Sequence, residues 1–285
     1  MDTNELTMLK KLFIFTMLLA LGVLPSTFAQ QIKAVSFNIR NSKNSSIDAE
    51  NSWHLRRDAV IDFIRDEKPD IICLQDALID QLSYIDNSFR KKYRRIGLGA
   101  DNGISKGSYN AIYYDTASVE LSWHTTRWLS KTPRQTSNGW DEQKRRTVTI
   151  ALFRDKYTNK QFYVFNTHLG ALNTIAYPES IKLLNELIDS YAKQNTPVIL
   201  AGCFNATDLE PLLIQFYNND IKSARRTAEK TDFRNTYNAF GKGEQSMIDH
   251  IFIRNISVQP FKTIVKNYGA KFISDHYPVY IVFSL

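Results

Sequence analysis

The chain has 285 residues, 43% of them hydrophobic and 23% charged, which excludes a disordered, collagen-like or coiled-coil protein and suffices for a buried core without staples. Two cysteines, Cys73 and Cys203, exclude a disulfide-dense scaffold and a structural zinc module. The net charge of +7 suits a phosphate-bearing ligand and equally a solvated basic surface.

At the N-terminus, Lys10 and Lys11 precede the apolar run Leu12 to Leu24, and Thr27-Phe28-Ala29 places small residues where a signal peptidase cuts. The run falls short of the roughly 20 residues of a membrane-spanning helix. Residues 1–29 therefore read as a cleaved signal peptide, with an uncleaved anchor as the alternative. The expected mature chain has no transmembrane segment and is secreted or periplasmic. From Gln30 onward no repeat, low-complexity tract or linker appears, so residues 30–285 read as a single domain, expected to act as a monomer.

Short runs of β-branched, aromatic and aliphatic residues predict strands over Ile32 to Asn38, Ile71 to Leu74, Ala111 to Tyr114, Thr147 to Phe153, Phe162 to Asn166, Val198 to Ala201, Ile248 to Ile253 and Val279 to Phe283. Leu55, Ala59, Val60, Phe63 and Ile64 recur at helical spacing and predict a helix from Leu55 to Glu67, ended by Pro69. Ile181, Leu184, Leu187, Ile188 and Tyr191 predict a second, from Glu179 to Lys193. Strands separated by helices imply an α/β (α+β) fold of two packed sheets flanked by helices.

Amide, carboxylate or imidazole groups stand at the ends of these strands: Asn38, Gln75-Asp76, Asn166-Thr167-His168, Cys203-Phe204-Asn205, Asp249-His250 and Asp275-His276. Strands sharing one core would gather these groups into one site. Oxygen donors suit a hard cation such as Mg²⁺, and His with Asp supplies proton transfer.

In sequence, Ser36-Phe37-Asn38, Leu74-Gln75-Asp76, Asn166-Thr167-His168-Leu169, Gly202-Cys203-Phe204-Asn205, Ile248-Asp249-His250-Ile251-Phe252 and Ser274-Asp275-His276-Tyr277-Pro278 resemble, in order, the signatures of the endonuclease/exonuclease/phosphatase superfamily, which includes deoxyribonuclease-I-like nucleases. Trp128-Leu129-Ser130, Gly139-Trp140-Asp141 and Arg146 are similar to a secreted bacterial branch. The resemblance implies a four-layered α/β sandwich of two mixed sheets and metal-dependent phosphoester hydrolysis. It implies Asp76, Asp275 and Asn38 at the metal, which would be Mg²⁺, or Mn²⁺ or another divalent cation in its place. It further implies His168 at the scissile phosphate or leaving oxygen, Asn205 orienting the attacking water or phosphate, and His276 as general base oriented by Asp249. Arg146 is the expected phosphate contact within Lys144-Arg145-Arg146.

Three positions depart from the family pattern. Cys203 replaces a carboxylate, and a thiol is a poor partner for a hard cation. Asp76 replaces a glutamate and shortens the reach by one carbon. Leu169-Gly170-Ala171 follow His168 where the secreted branch often carries acidic and histidine residues. Taken singly, Asn38 and Asn205 also read as turn residues, Asp76 as a helix N-cap, His250, Trp128 and Trp140 as packing residues, and His54 and His124 as surface residues. Export would permit a Cys73–Cys203 disulfide. The two resulting expectations are an exported metal-dependent hydrolase of a phosphoester substrate with a non-standard site, and a catalytically impaired family member that binds a phosphorylated ligand.

Overall fold

The computed structural model describes residues 31–285; the expected signal segment lies outside the described residues. The strands are β1 (Ile32–Asn38), β2 (Ile71–Ala77), β3 (Tyr93–Ile96), β4 (Tyr109–Asp115), β5 (Val119–Trp128), β6 (Thr147–Asp155), β7 (Gln161–His168), β8 (Val198–Cys203), β9 (Lys222–Ser223), β10 (Asp249–Arg254), β11 (Ser257–Thr263) and β12 (Val279–Ser284). Three longer helices, α1 (Trp53–Glu67), α2 (Ile79–Phe89) and α3 (Ala176–Tyr191), accompany them.

Side-chain alternation along β1 sets the layers. Ile32 and Ala34 face one apolar cluster, while Val35 and Phe37 face another containing Val60, Phe63 and Ile64 of α1. The first cluster also holds Val164, Ile199 and Ile251, so it lies between two sheets. A third cluster places Ile181, Leu184 and Ile188 of α3 against Phe165 and Leu200. The sheets run β11-β12-β1-β2-β4-β3 and β5-β6-β7-β8-β10-β9. Helix, sheet, sheet and helix form the expected four-layered sandwich, and each fully buried large apolar side chain contributes about 1.5–3 kcal/mol.

Each sheet contains one parallel pair, β1 with β2 and β7 with β8, among antiparallel neighbours. In β1/β2, Asn38 lies opposite Gln75; in β7/β8, His168 lies opposite Cys203. Crossovers through α1 and α3 therefore bring these strands out at one edge of the sandwich. A polar bridge ties the sheets just below that edge. Asn166 donates to the carbonyls of Leu74 (2.9 Å) and Ala111 (2.8 Å), and its Oδ1 accepts from Gln75 Nε2 (2.8 Å).

Both predicted helices begin earlier than expected. Leu55, assigned to the apolar face, is 58% exposed. Arg56 is buried instead, its guanidinium donating to the carbonyls of Ile39, Arg40, Asn51 and Ile273. α3 starts at Ala176 because Asp141 accepts from the amides of Ile175 and Ala176, and Pro178 is tolerated in a first turn. Helix α2 and strands β3, β5, β9 and β11 were not foreseen. Cys73 and Cys203 are buried free thiols in strands of different sheets, and no disulfide joins them.

Candidate active site

At the common strand edge lies a cleft of about 380 Å³. Six of the sequence-predicted residues line it: Asn38, Asp76, His168, Asn205, Asp275 and His276. Arg40, Tyr237, Ser246 and Ile248 complete the wall. A larger recess of about 630 Å³ at Asp220, Lys222 and Arg254 gathers none of the motif residues. Convergent chemistry, not size, selects the cleft.

Asp249 and Cys203 stand behind the wall, 1% and 0% exposed. They are cross-strand partners of the antiparallel β8/β10 pair, which is why the cysteine substitution falls beside the aspartate. Asp249 Oδ2 accepts from His276 Nδ1 at 2.8 Å. This bond spans the sandwich, since β10 belongs to one sheet and His276 leads into β12 of the other. Burial opposes charge on His276, but the Asp249 carboxylate outweighs it, with help from Asp275 and Asp76, and raises the imidazole pKa above its ordinary value. Nδ1 is thereby fixed as the donor, leaving Nε2 for the cleft. The second Asp249 oxygen is buried without a partner. Tyr237 packs edge-on against the His276 ring, 5.0 Å between centroids.

His168 has the opposite character. Burial, and then the nearby Arg146, push its pKa well below the ordinary value, against the pull of Asp76. It is a neutral hydrogen-bonding group at pH 7. Asn205 donates to Leu169 O at 2.8 Å and accepts a weak contact from Cys203 Sγ at 3.8 Å. Burial raises the Cys203 thiol pKa well above normal, and Asp249 adds to the effect. Cys203 is therefore a protonated, non-nucleophilic thiol.

The expected turn roles and site roles coincide at Asn38, whose Oδ1 accepts from the Arg40 amide at 3.1 Å while the residue lines the cleft. Asp76 is not a helix N-cap: α2 begins at Ile79, and Gln81 accepts from the Leu78 amide. Asp76, Arg40 and Asn205 have φ of +56°, +58° and +52°. Non-glycine residues in this region carry strain that clusters at functional sites. Aspartate tolerates the region better than longer side chains do, so the change from glutamate at 76 concerns backbone conformation as well as reach.

The oxygen donors match a hard cation in type, but their atoms are engaged. Asp76 Oδ1 pairs with Lys144 Nζ at 2.6 Å, and Asp76 Oδ2 accepts from Asn41 Nδ2 at 2.7 Å. Burial would raise the Asp76 pKa, yet the Lys144 ammonium and the Asn41 amide hold it down at about 2. Asp275 Oδ2 pairs with Arg40 at 3.3 Å, and its Oδ1 accepts from Ser274 Oγ at 3.2 Å. Cys203, Asp249 and His276 place ligand atoms within 4.8 Å of one another; neither Asp76 nor Asp275 belongs to that group. A divalent ion at Asp76 would compete with Lys144, and one at Asp275 with Arg40.

Arg146, the expected phosphate contact, does not line the cleft. Its Nε lies 3.3 Å from Glu142, and Lys144 of the same loop reaches the site instead. Glu142 occupies the space beside Gly170. A Cβ built on Gly170 would lie 1.4 Å from Glu142 Oε1, so a carboxylate from the preceding loop fills that space. Arg40 and Tyr237 were missed because they lie outside the recognised motifs, Arg40 only two residues beyond Asn38; Lys144 belongs to the basic stretch Lys144-Arg145-Arg146, of which Arg146 was the expected phosphate contact. His250 packs between Phe204 and Phe252, its Nε2 2.8 Å from Ala206 O. Trp128 is buried and donates to Ala100 O, and Trp140 borders a separate recess. His54 and His124 are exposed.

Two mixed sheets carrying an Asp-oriented histidine, amides and basic side chains at one edge form a phosphoester-hydrolase-like fold. The profile of the Endonuclease/Exonuclease/phosphatase family matches residues 35–276, and the chain belongs to that family. It is similar to the endonuclease/exonuclease/phosphatase from Bacteroides vulgatus, at 29% identity and a TM-score of 0.83, covering 90% of this chain and 99% of that one. A mannosyl-6-phosphatase from Bacteroides thetaiotaomicron is 26% identical with a TM-score of 0.80, over 89% of this chain and 100% of the other. Uncharacterized protein L388 of Acanthamoeba polyphaga mimivirus is 29% identical over 273 residues, 89% of this chain and 100% of its own length.

Proposed function

We propose that the protein is an exported, divalent-metal-assisted hydrolase of small phosphoesters, acting as a monomer. The hydrogen bond from His276 to Asp249 across the two sheets carries this reading, because it presents an oriented base to a cleft rich in phosphate-compatible donors. Nε2 of His276 takes a proton from the attacking water while Asp249 stabilises the imidazolium that forms. Asn205 aligns that water or a phosphoryl oxygen. His168, kept neutral by burial and then by Arg146, donates a hydrogen bond to the leaving oxygen. Asp76, Asp275 and Asn38 are the residues that would hold Mg²⁺, or Mn²⁺ or another divalent cation in its place; once bound, such an ion neutralises charge on the phosphoryl oxygens.

The cleft volume of about 380 Å³ favours a compact substrate such as a sugar phosphate over duplex nucleic acid, and the similarity to a mannosyl-6-phosphatase supports the same choice. The test is a screen of the purified mature protein, with Mg²⁺ or Mn²⁺, against mannose 6-phosphate, a chromogenic bis-phosphodiester, sphingomyelin, RNA and DNA. Hydrolysis of the small esters is the expected result. No hydrolysis of any substrate would favour the second reading, a phospho-ligand binding module, to which Cys203 in place of a carboxylate lends its support. Among the described residues no helix is long and apolar enough to cross a membrane. Export itself is tested by intact mass of protein from the cell envelope or medium, with loss of about 29 residues expected and a full-length cytoplasmic chain opposing it.

A further inference from the structure

We infer that Lys144 is a built-in cation at Asp76 that lets the cleft bind phosphoryl oxygens before any metal is bound, a divalent ion being required only for the hydrolysis. The inference rests on the reading of the cleft as a phosphoester site. Both oxygens of Asp76 are committed within the chain, one to Lys144 Nζ at 2.6 Å and the other to Asn41 at 2.7 Å. Asp76 itself is fixed by its left-handed backbone and by burial to 7% exposure. Arg40 serves Asp275 in the same way, at 3.3 Å.

The two cations are not equivalent. Arg40 is held on Asp48 by contacts of 2.8 and 3.1 Å, whereas the Lys144 side chain is 45% exposed on a flexible stem. An ammonium has three protons. With one on Asp76, which lines the cleft, two remain that the flexible stem can swing toward phosphoryl oxygens. A divalent ion meets the reverse situation: it approaches the same carboxylate against a like charge at contact distance. It must first drive Lys144 into solvent. The short Asp76 and Lys144 thus form one unit, an anion matched internally by a cation, where the family resemblance implies a glutamate and a metal.

Calorimetric titrations of the mature protein and of Lys144→Met separate the possibilities, with a circular dichroism melt to verify folding of both. Inorganic phosphate in EDTA is expected to bind the wild type and to bind Lys144→Met at least tenfold more weakly. Mn²⁺ without phosphate is expected to bind Lys144→Met at least tenfold more tightly than the wild type. Equal Mn²⁺ affinities, or phosphate affinity in EDTA unchanged by the substitution, would overturn the role of Lys144. Phosphate binding to the wild type only when Mn²⁺ is present would also overturn it while leaving the proposed hydrolase intact. Absence of phosphate binding with and without Mn²⁺ would remove the phosphoester reading together with this one.

Discussion

The two ends of the cleft satisfy their charges in different ways. At one end, a buried aspartate holds a histidine at 2.8 Å, and the pair joins the two sheets. At the other, Asp76 faces a cation of the chain, Lys144; Asp275, paired with Arg40, lies beside the dyad, 3.9 Å from His276 Nε2. The first arrangement is poised to move a proton; the second fixes positive charge beside a carboxylate with no ion required. Cys203 lies between them, beside Asp249 and within reach of Asn205.

The comparison can be broken most sharply at the histidine. His276→Ala removes the base and should lower kcat 10²- to 10⁴-fold, about 3 to 5 kcal/mol in barrier, on whichever ester the screen identifies. A loss below fivefold would mean that the dyad is a structural strut. Asn166→Ala tests whether the two ends depend on a common support. It leaves buried carbonyls of Leu74 and Ala111 without their donor, at about 1–3 kcal/mol for each unsatisfied group. A fall in unfolding free energy of about 3 kcal/mol is expected in chemical denaturation, with His276 chemistry and phosphate binding weakened together. Loss of one without the other would show that the ends are supported independently.

Reversion at the junction gives a smaller effect of the opposite sign. Cys203→Asp should raise metal-supported hydrolysis at least tenfold, about 1.4 kcal/mol in barrier, and removing His276 from that variant should abolish the gain. A faster wild type would assign the thiol a positive role. Adding Asp76→Glu should contribute little beyond this, because glutamate is less at ease at φ +56°. The smallest effect is expected at Gly170→Ala. The new methyl displaces only the flexible tip of Glu142, so stability should change by under about 1 kcal/mol. Freed from Glu142, Arg146 should then lower the apparent KM for a phosphate ester; an unchanged KM would make Arg146 a scaffold residue.

The sequence exposed the interior of the fold better than its margins. The eight strands read from it are the inner four of each sheet, whereas β11, β3, β5 and β9 form the four edges. Inner strands are buried on both faces and read as apolar runs. Edge strands are short, polar or interrupted, as natural sheets require against edge-to-edge pairing: Tyr-Arg-Arg-Ile in β3, a proline in β11, two residues in β9 and exposed Ser122, Trp123 and His124 in β5. The site was legible to the same extent. Residues at strand ends inside motifs converge as expected, because register fixes them. Arg40 lines the cleft and Lys144 reaches Asp76 from loops, as Glu142 meets Arg146 and Gly170, and no periodicity there records which carboxylate or glycine a side chain will meet.

The amide bridge between the sheets has a further consequence for how the molecule assembles. Asn166 meets Gln75 and Leu74 across 91 and 92 residues of chain and Ala111 across 55, so these bonds form only when distant segments dock. Apolar faces alone would tolerate a slip of one sheet over the other, since one aliphatic contact resembles the next. The amides would not. A slip of one sheet over the other carries Asn166 away from Gln75, Leu74 and Ala111 and leaves their buried polar groups against apolar side chains without partners. Misdocked forms are thereby made short-lived, and the assembly step that completes the cleft doubles as a check on its own alignment.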